Sequence, residues 1–86
     1  MPTVIPAAEK ILRARALIQK ARDYPVPEGG LGKSDFSYMA NVKDLLRQAR
    51  DLVKFIPQTM GVAAELKDEV KKIYQEIEAT QRELLY

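Results

Sequence analysis

The sequence predicts an all-α protein that folds as a three-helix bundle, with helices at about 4–23, 35–56 and 59–85. Apolar residues recur at alternating intervals of three and four positions, which places them on one face of a helix. Proline and glycine cluster at two internal places, within 25–32 and 57–61, and divide the chain into three segments. Because the segments are of comparable length, they are suited to packing side by side.

The first predicted helix, at about 4–23, has a narrow apolar face. Pro2 and Pro6 fit a helix start, where the missing N–H of proline is not needed, and Thr3 is a plausible N-cap. One row of the face is Val or Ile and the other is Ala throughout, which lets a neighbouring helix approach closely. The face consists of Val4, Ala7, Ile11, Ala14, Ile18 and Ala21.

A flexible loop is predicted at 24–33, followed by the second helix. Pro25 disfavours helical geometry at Tyr24, and three glycines lie within 29–32. Ser34 or Asp35 is expected to cap the second helix. The apolar arc of this helix is wide enough to touch two neighbours. Its seam is Tyr38, Val42, Leu45, Ala49, Leu52 and Ile56, and a second row is Met39, Leu46 and Val53.

The segment 57–61 is predicted to be a turn between the second and third helices. Pro57 removes a helical hydrogen bond, and Gly61 weakens helix further. The three-four spacing nevertheless continues across Pro57, so a single long helix kinked there, pairing in a coiled-coil oligomer, is the alternative. The third helix has its seam at Ala63, Leu66, Val70, Ile73, Ile77, Thr80 and Leu84.

The composition is that of one folded domain, spanning 1–86. Hydrophobic residues make up 47% and charged residues 30% of the 86 positions, which argues against whole-chain disorder. The apolar ending Leu84-Leu85-Tyr86 suggests the N-terminal part of a longer protein as a further hypothesis. No apolar run approaches the roughly 20 residues that a membrane span needs. An intracellular location, cytoplasmic or nuclear, is the expectation.

The residue types argue against an enzyme and against a cofactor or metal site. Cysteine and histidine are absent, so the usual ligands of zinc, iron and copper and the base of a nucleophilic triad are missing. The segment Gly29–Ser34 ends like a phosphate-binding P-loop, but Pro27 stands where that motif needs its first glycine. The acidic positions Glu65, Glu69, Glu76 and Glu83 are interpreted as a solvated face or as charge partners of another helix.

Charge is distributed unevenly although the net charge is only +2. Residues 1–24 carry five basic and two acidic side chains, whereas residues 57–86 carry four basic and six acidic ones. A basic first helix and an acidic last helix are expected to attract each other, within one chain or between chains. The second helix has a basic edge of its own at Lys43, Arg47, Arg50 and Lys54.

The leading functional hypothesis is a non-catalytic protein-interaction, scaffold or oligomerisation module that presents an apolar helical face. Its partner would be another protein helix or a second copy, with no small-molecule substrate evident. The alternative is a regulatory module that binds an anion or nucleic acid through the basic edges of helices 1 and 2, although the charge is low for a nucleic-acid partner. The apolar residues left over from the seams are the candidate partner-binding residues: Leu12, Leu17, Phe36, Met39, Leu46 and Val53.

Overall fold

A computed structural model of the chain describes residues 6–30, 32 and 35–85. It confirms the predicted all-α fold, with helices α1 (Ala7–Arg22), α2 (Phe36–Val53) and α3 (Ala64–Leu85), and a short 3-10 helix at Ile56–Gln58. Every pair of the three long helices is in contact, and α1 packs most extensively against α2. No described helix has the combination of length and hydropathy that crossing a bilayer requires.

The start of α1 lies three residues later than predicted. Pro6 takes φ −59° and ψ 150°, which is not helical, and its carbonyl accepts a hydrogen bond from the Lys10 N–H at 3.0 Å. Helices tend to begin at a proline because proline disfavours helical geometry at the preceding residue. Val4 and the predicted cap Thr3 lie outside the described residues. The predicted end near Asp23 is confirmed, since Asp23 is the C-cap of α1.

The predicted capping of α2 is confirmed at Asp35. Its carboxylate accepts a hydrogen bond from the Tyr38 N–H at 3.0 Å, which satisfies a backbone donor that has no partner within the helix. Just inside this cap, the ring of Tyr38 lies 6.0 Å from that of Tyr24, which closes one end of the α1–α2 pair. Ser34, the other predicted cap, lies outside the described residues.

Pro57 makes a turn, as predicted, and not a kink. α2 ends at Val53, the residue whose carbonyl the ring of a helical Pro57 would strike. After the 3-10 helix, Gly61 takes φ +82°, and α3 begins only at Ala64, five residues later than expected. Thr59 and Ala63, which continue the three-four spacing across the turn, are both exposed. The three-four spacing of apolar residues thus continues across Pro57, but no continuous helix accompanies it.

The core follows the predicted seams of all three helices. The buried apolar residues are Ile11, Ala14, Ile18, Ala21, Tyr38, Val42, Leu45, Leu46, Ala49, Val53, Ile56, Val70, Ile73 and Ile77. Ala14, Ala21 and Ala49 are fully buried, as expected of small residues at close helix contacts. Thr80 is also fully buried, and its hydroxyl has no hydrogen-bond partner among the described residues.

Ion pairs show that α1 and α3 run in the same direction. Arg15 pairs with Glu69, and Arg22, two turns further along α1, pairs with Glu83, further along α3. α2 runs in the opposite direction: Tyr38, near its start, lies beside Tyr24, which follows the end of α1. The bundle therefore has three longitudinal grooves, one between each pair of helices.

Candidate functional site

The α1–α2 groove, named here for the two helices that form it, has an apolar floor at Leu17 and Leu52. Both side chains are half-buried and pack against the core, so the floor of the groove is continuous with the core. Two adjoining hollows of about 390 and 370 Å³ share these two leucines. The other lining residues are Arg13, Ala16 and Lys20 on α1 and Gln48 and Asp51 on α2.

The two sides of the α1–α2 groove differ in charge. On the α1 side, Arg13 pairs with Glu9 at 3.0 Å, whereas Lys20 has no carboxylate within 4.0 Å in the described part of the chain. On the α2 side, Asp51 pairs with Lys54 at 3.4 Å. The α1 side is therefore the more positive wall, because Lys20 is unpaired among the described residues. Arg13, seven residues or about 10 Å away along the helix, shares its charge with Glu9.

The candidate partner-binding residues do not form one surface. Leu17 lines the α1–α2 groove, and Met39 is half-buried against the core. Leu12 and Phe36 are 67% and 84% exposed, but neither lines the groove. Leu46 and Val53 must be reassigned, because they are 2% and 0% exposed within the single chain. They lie in the core because α2 contacts both other helices, so its second apolar row is buried too.

Sequence reasoning missed three residues that the structure leaves accessible. Leu52 was assigned to the seam of α2, yet it lies at the edge of the core near the end of the helix. Phe55 and Met60, in the turn before α3, are 61% and 97% exposed. A signal was available for Met60, which lies within the predicted turn at 57–61, whereas Phe55 falls inside the predicted second helix at 35–56.

The α2–α3 groove is lined by three cations of the predicted basic edge. Lys43, Arg47 and Arg50 surround a hollow of about 240 Å³, whose other lining residues are Leu46, Ile77 and Gln81. An adjoining hollow of about 390 Å³ is lined by Arg50, Tyr74, Glu78 and Gln81. Beside the first hollow, hydrogen bonds from Gln48 and then Arg47 lower the pKa of Asp44 below its ordinary value.

Two basic residues of α1, Arg15 and Arg22, are paired with α3 within the chain. Arg15 donates a hydrogen bond to Glu69, and its Nε lies 3.9 Å from Oε1 of Glu76, while Arg22 donates to Glu83. The hydrogen bond from Arg15, followed by that from Lys72, lowers the pKa of Glu69. The interpretation of the acidic positions as partners of another helix is therefore confirmed for Glu69, Glu76 and Glu83.

The glycine-rich segment that ends like a P-loop is described only in part. Gly30 and Gly32 take φ +63° and +55°, while Leu31, Lys33 and Ser34 lie outside the described residues. Within 6–30, 32 and 35–85, no group of three or more acidic side chains is arranged to hold a metal ion.

Comparison of the chain with protein-family models, with curated proteins and with solved structures gives no match.

Proposed function

We propose that this chain is a protein-interaction module that binds an amphipathic helix with acidic flanks in the α1–α2 groove. The observation that carries the proposal is the meeting of Leu17 and Leu52 in a hollow that is continuous with the core and walled by Arg13 and Lys20. A partner helix that placed apolar residues on this floor would extend the packing of the bundle by one more helix.

The charges of the groove select the kind of helix. Arg13 and Lys20 are seven residues apart on one side of Leu17, so acidic residues seven apart on a partner lying along α1 would meet both. A basic partner would face like charges on the same wall. Such rim charges affect the association rate and the choice of partner more than the affinity.

A designed peptide tests the proposal directly. The peptide has leucine at positions i, i+4 and i+7 and glutamate at two flanking positions seven apart, and the control peptide has lysine in place of the two glutamates. In a ¹⁵N–¹H NMR titration, we expect the acidic peptide to shift the signals of Ala16, Leu17 and Leu52 and the basic peptide to bind more weakly. Equal binding of both peptides, or shifts centred elsewhere, would contradict the proposal.

Two apolar-to-glutamine variants identify the surface. Leu17→Gln removes half of the apolar floor and is expected to weaken peptide binding about tenfold or more, because buried apolar contacts at the centre of an interface dominate its affinity. Phe36→Gln also replaces an apolar side chain by glutamine, at the exposed first residue of α2, about 24 Å along the helix from Leu52, and is expected to leave binding unchanged. If Phe36→Gln weakened binding and Leu17→Gln did not, the peptide would bind near the start of α2 and not in the α1–α2 groove.

Sedimentation shows whether the α1–α2 groove binds a helix of another protein or a second copy of this chain. The proposal predicts that the protein without peptide sediments as a monomer at micromolar concentrations. A dimer that dissociates when Leu17 is replaced by glutamine would show that the groove is an interface between two copies, and it would overturn the proposed occupant.

A further inference from the structure

We propose that the α2–α3 groove is a binding site for a small molecule that carries a diphosphate group, held by Lys43, Arg47 and Arg50. The site is on the opposite side of α2 from the α1–α2 groove and is independent of the helix-binding function. It rests on the convergence of three cations on one hollow, on the low polarity of its floor, and on the fact that no described carboxylate engages two of these cations, Lys43 and Arg50.

The spacing of the three cations makes them converge. Positions 43, 47 and 50 are four and three residues apart, so their side chains lie on one face of α2 and span about 10 Å along the helix. All three line the same hollow of about 240 Å³, and Gln81 of α3 lines it from the other side. Arginine guanidinium groups suit phosphate oxygens because each can donate two parallel hydrogen bonds.

The floor of the groove strengthens the field of these charges. Leu46 is 2% exposed and Ile77 is fully buried, yet both reach the bottom of the hollow. An apolar floor holds water away from one side of a bound anion and thereby reduces the screening of its interaction with the cations.

Of the two neighbouring carboxylates, only Glu78 has its cationic partner outside the site, because Asp44 pairs with Arg47 itself. Asp44 pairs with Arg47 at 2.5 Å, and Glu78 pairs with Arg82 at 2.5 Å. Lys43 and Arg50, in contrast, have no carboxylate within 4.0 Å among residues 6–30, 32 and 35–85. The groove therefore retains positive charge for a ligand of two or more negative charges.

The same two carboxylates restrict the size of the anion. Asp44 lines a hollow next to the site with Lys43 and Arg47, and Glu78 lines the adjoining hollow with Arg50. A long polyanion lying along α2 would pass both carboxylates and be repelled, whereas a compact diphosphate would lie between them. The geometry thus favours a small phosphate ligand over the backbone of a nucleic acid.

Titration with inorganic pyrophosphate at constant ionic strength tests this site. We expect saturable NMR shifts at Lys43, Arg47, Arg50 and Gln81 that sodium chloride of the same ionic strength does not produce. Arg50→Gln and Lys43→Gln are each expected to weaken binding about tenfold, the size of effect expected for a charge-assisted hydrogen bond. Lys20→Gln, which removes the same charge from the α1–α2 groove, is expected to leave the affinity unchanged.

Three outcomes would overturn the proposal. The first is that pyrophosphate produces no saturable shift. The second is that Lys20→Gln weakens binding as much as Arg50→Gln, which would indicate nonspecific attraction to net charge. The third is that a short single-stranded oligonucleotide binds this groove and pyrophosphate does not. All of the substituted side chains are exposed, and circular dichroism of each variant verifies that the helices are retained.

Discussion

Arg15 of α1 donates a hydrogen bond to the carboxylate of Glu69 on α3, and its Nε lies 3.9 Å from Glu76. One arginine thus connects two acidic positions that are two turns apart on the neighbouring helix. The opposite charges that the sequence places on its first and last segments therefore meet within one chain. Arg15 and Arg22 are therefore engaged by α3, whereas Lys43 and Arg50 on the basic edge of α2 have no carboxylate within 4.0 Å among the described residues.

The first prediction concerns the pKa of Glu69. Arg15→Gln removes the largest of the interactions that lower this pKa, so the pKa is expected to rise towards the ordinary glutamate value of 4.5. Arg13→Gln is the control, because Arg13 lies on the same helix and pairs with Glu9 instead. ¹³C NMR of the side-chain carboxyl carbons measures both effects. An unchanged Glu69 pKa in Arg15→Gln would show that the pair does not persist in solution.

The second prediction follows from the same pKa by linkage. Because folding lowers the pKa of Glu69, the folded state binds this proton less readily than the unfolded state. The contribution of Glu69 to stability is therefore fully present above the unfolded value near 4.5, and it is lost as pH falls through the lower folded pKa. Glu69→Gln should reduce the loss of stability below pH 4.5, as measured by urea unfolding at several pH values. Glu65→Gln, in the same helix but without an ion pair among the described residues, is the control.

The fold could be predicted because the seams obey one physical rule. A side chain every three or four positions faces the same way along a helix, so Ile11, Leu45 and Ile73 could be assigned to a common core before any contact was known. The ends of the helices were harder, because they depend on single backbone residues. Pro57 ended α2 four residues earlier in the chain, and Gly61, through its positive φ, delayed the start of α3.

The candidate site could be predicted only in part, because the edge of the core depends on which neighbours a helix touches. Leu46 and Leu52 belong to rows of equal apolar character in the sequence. Leu46 is buried where α3 packs on α2, whereas Leu52 remains at the border of the α1–α2 groove. Which apolar row of α2 faces α1 and which faces α3 depends on how the three helices pack together. The spacing of residues within one row does not contain this information.

The third prediction tests this reassignment of Leu46. Leu46→Ala is expected to lower the free energy of unfolding by about 2–5 kcal/mol, since it removes a buried side chain and leaves a cavity. Leu12→Ala makes the same change at a residue that is 67% exposed and is expected to stay within about 0.5 kcal/mol of the parent protein. Chemical denaturation followed by circular dichroism gives both values. Comparable small losses in the two variants would contradict the burial of Leu46.

The fourth prediction concerns the turn between α2 and α3. Gly61 has φ +82°, and a Cβ added there would meet no atom within 4 Å, so alanine would be disfavoured by its backbone conformation alone. Gly61→Ala is expected to destabilise the protein by about 1–2 kcal/mol. Gly29 has equally open surroundings without a positive φ, and Gly29→Ala is expected to be neutral or stabilising by up to about 0.5 kcal/mol. A stabilising Gly61→Ala would instead favour a continuous helix across this segment.

The fifth prediction concerns Thr80, the one polar residue among the described residues of the core. Its hydroxyl is buried without a hydrogen-bond partner in the described part of the chain, which costs free energy because the group has lost its contact with water. Thr80→Val keeps the branched shape and removes the hydroxyl, so it is expected to raise the free energy of unfolding by about 1 kcal/mol. Thr59→Val is the matched control. The hydroxyl of Thr59 donates to the Phe55 carbonyl at 2.9 Å on the surface, so this substitution should bring no gain in urea denaturation. A loss of stability in Thr80→Val would mean that the buried hydroxyl does have a partner in solution.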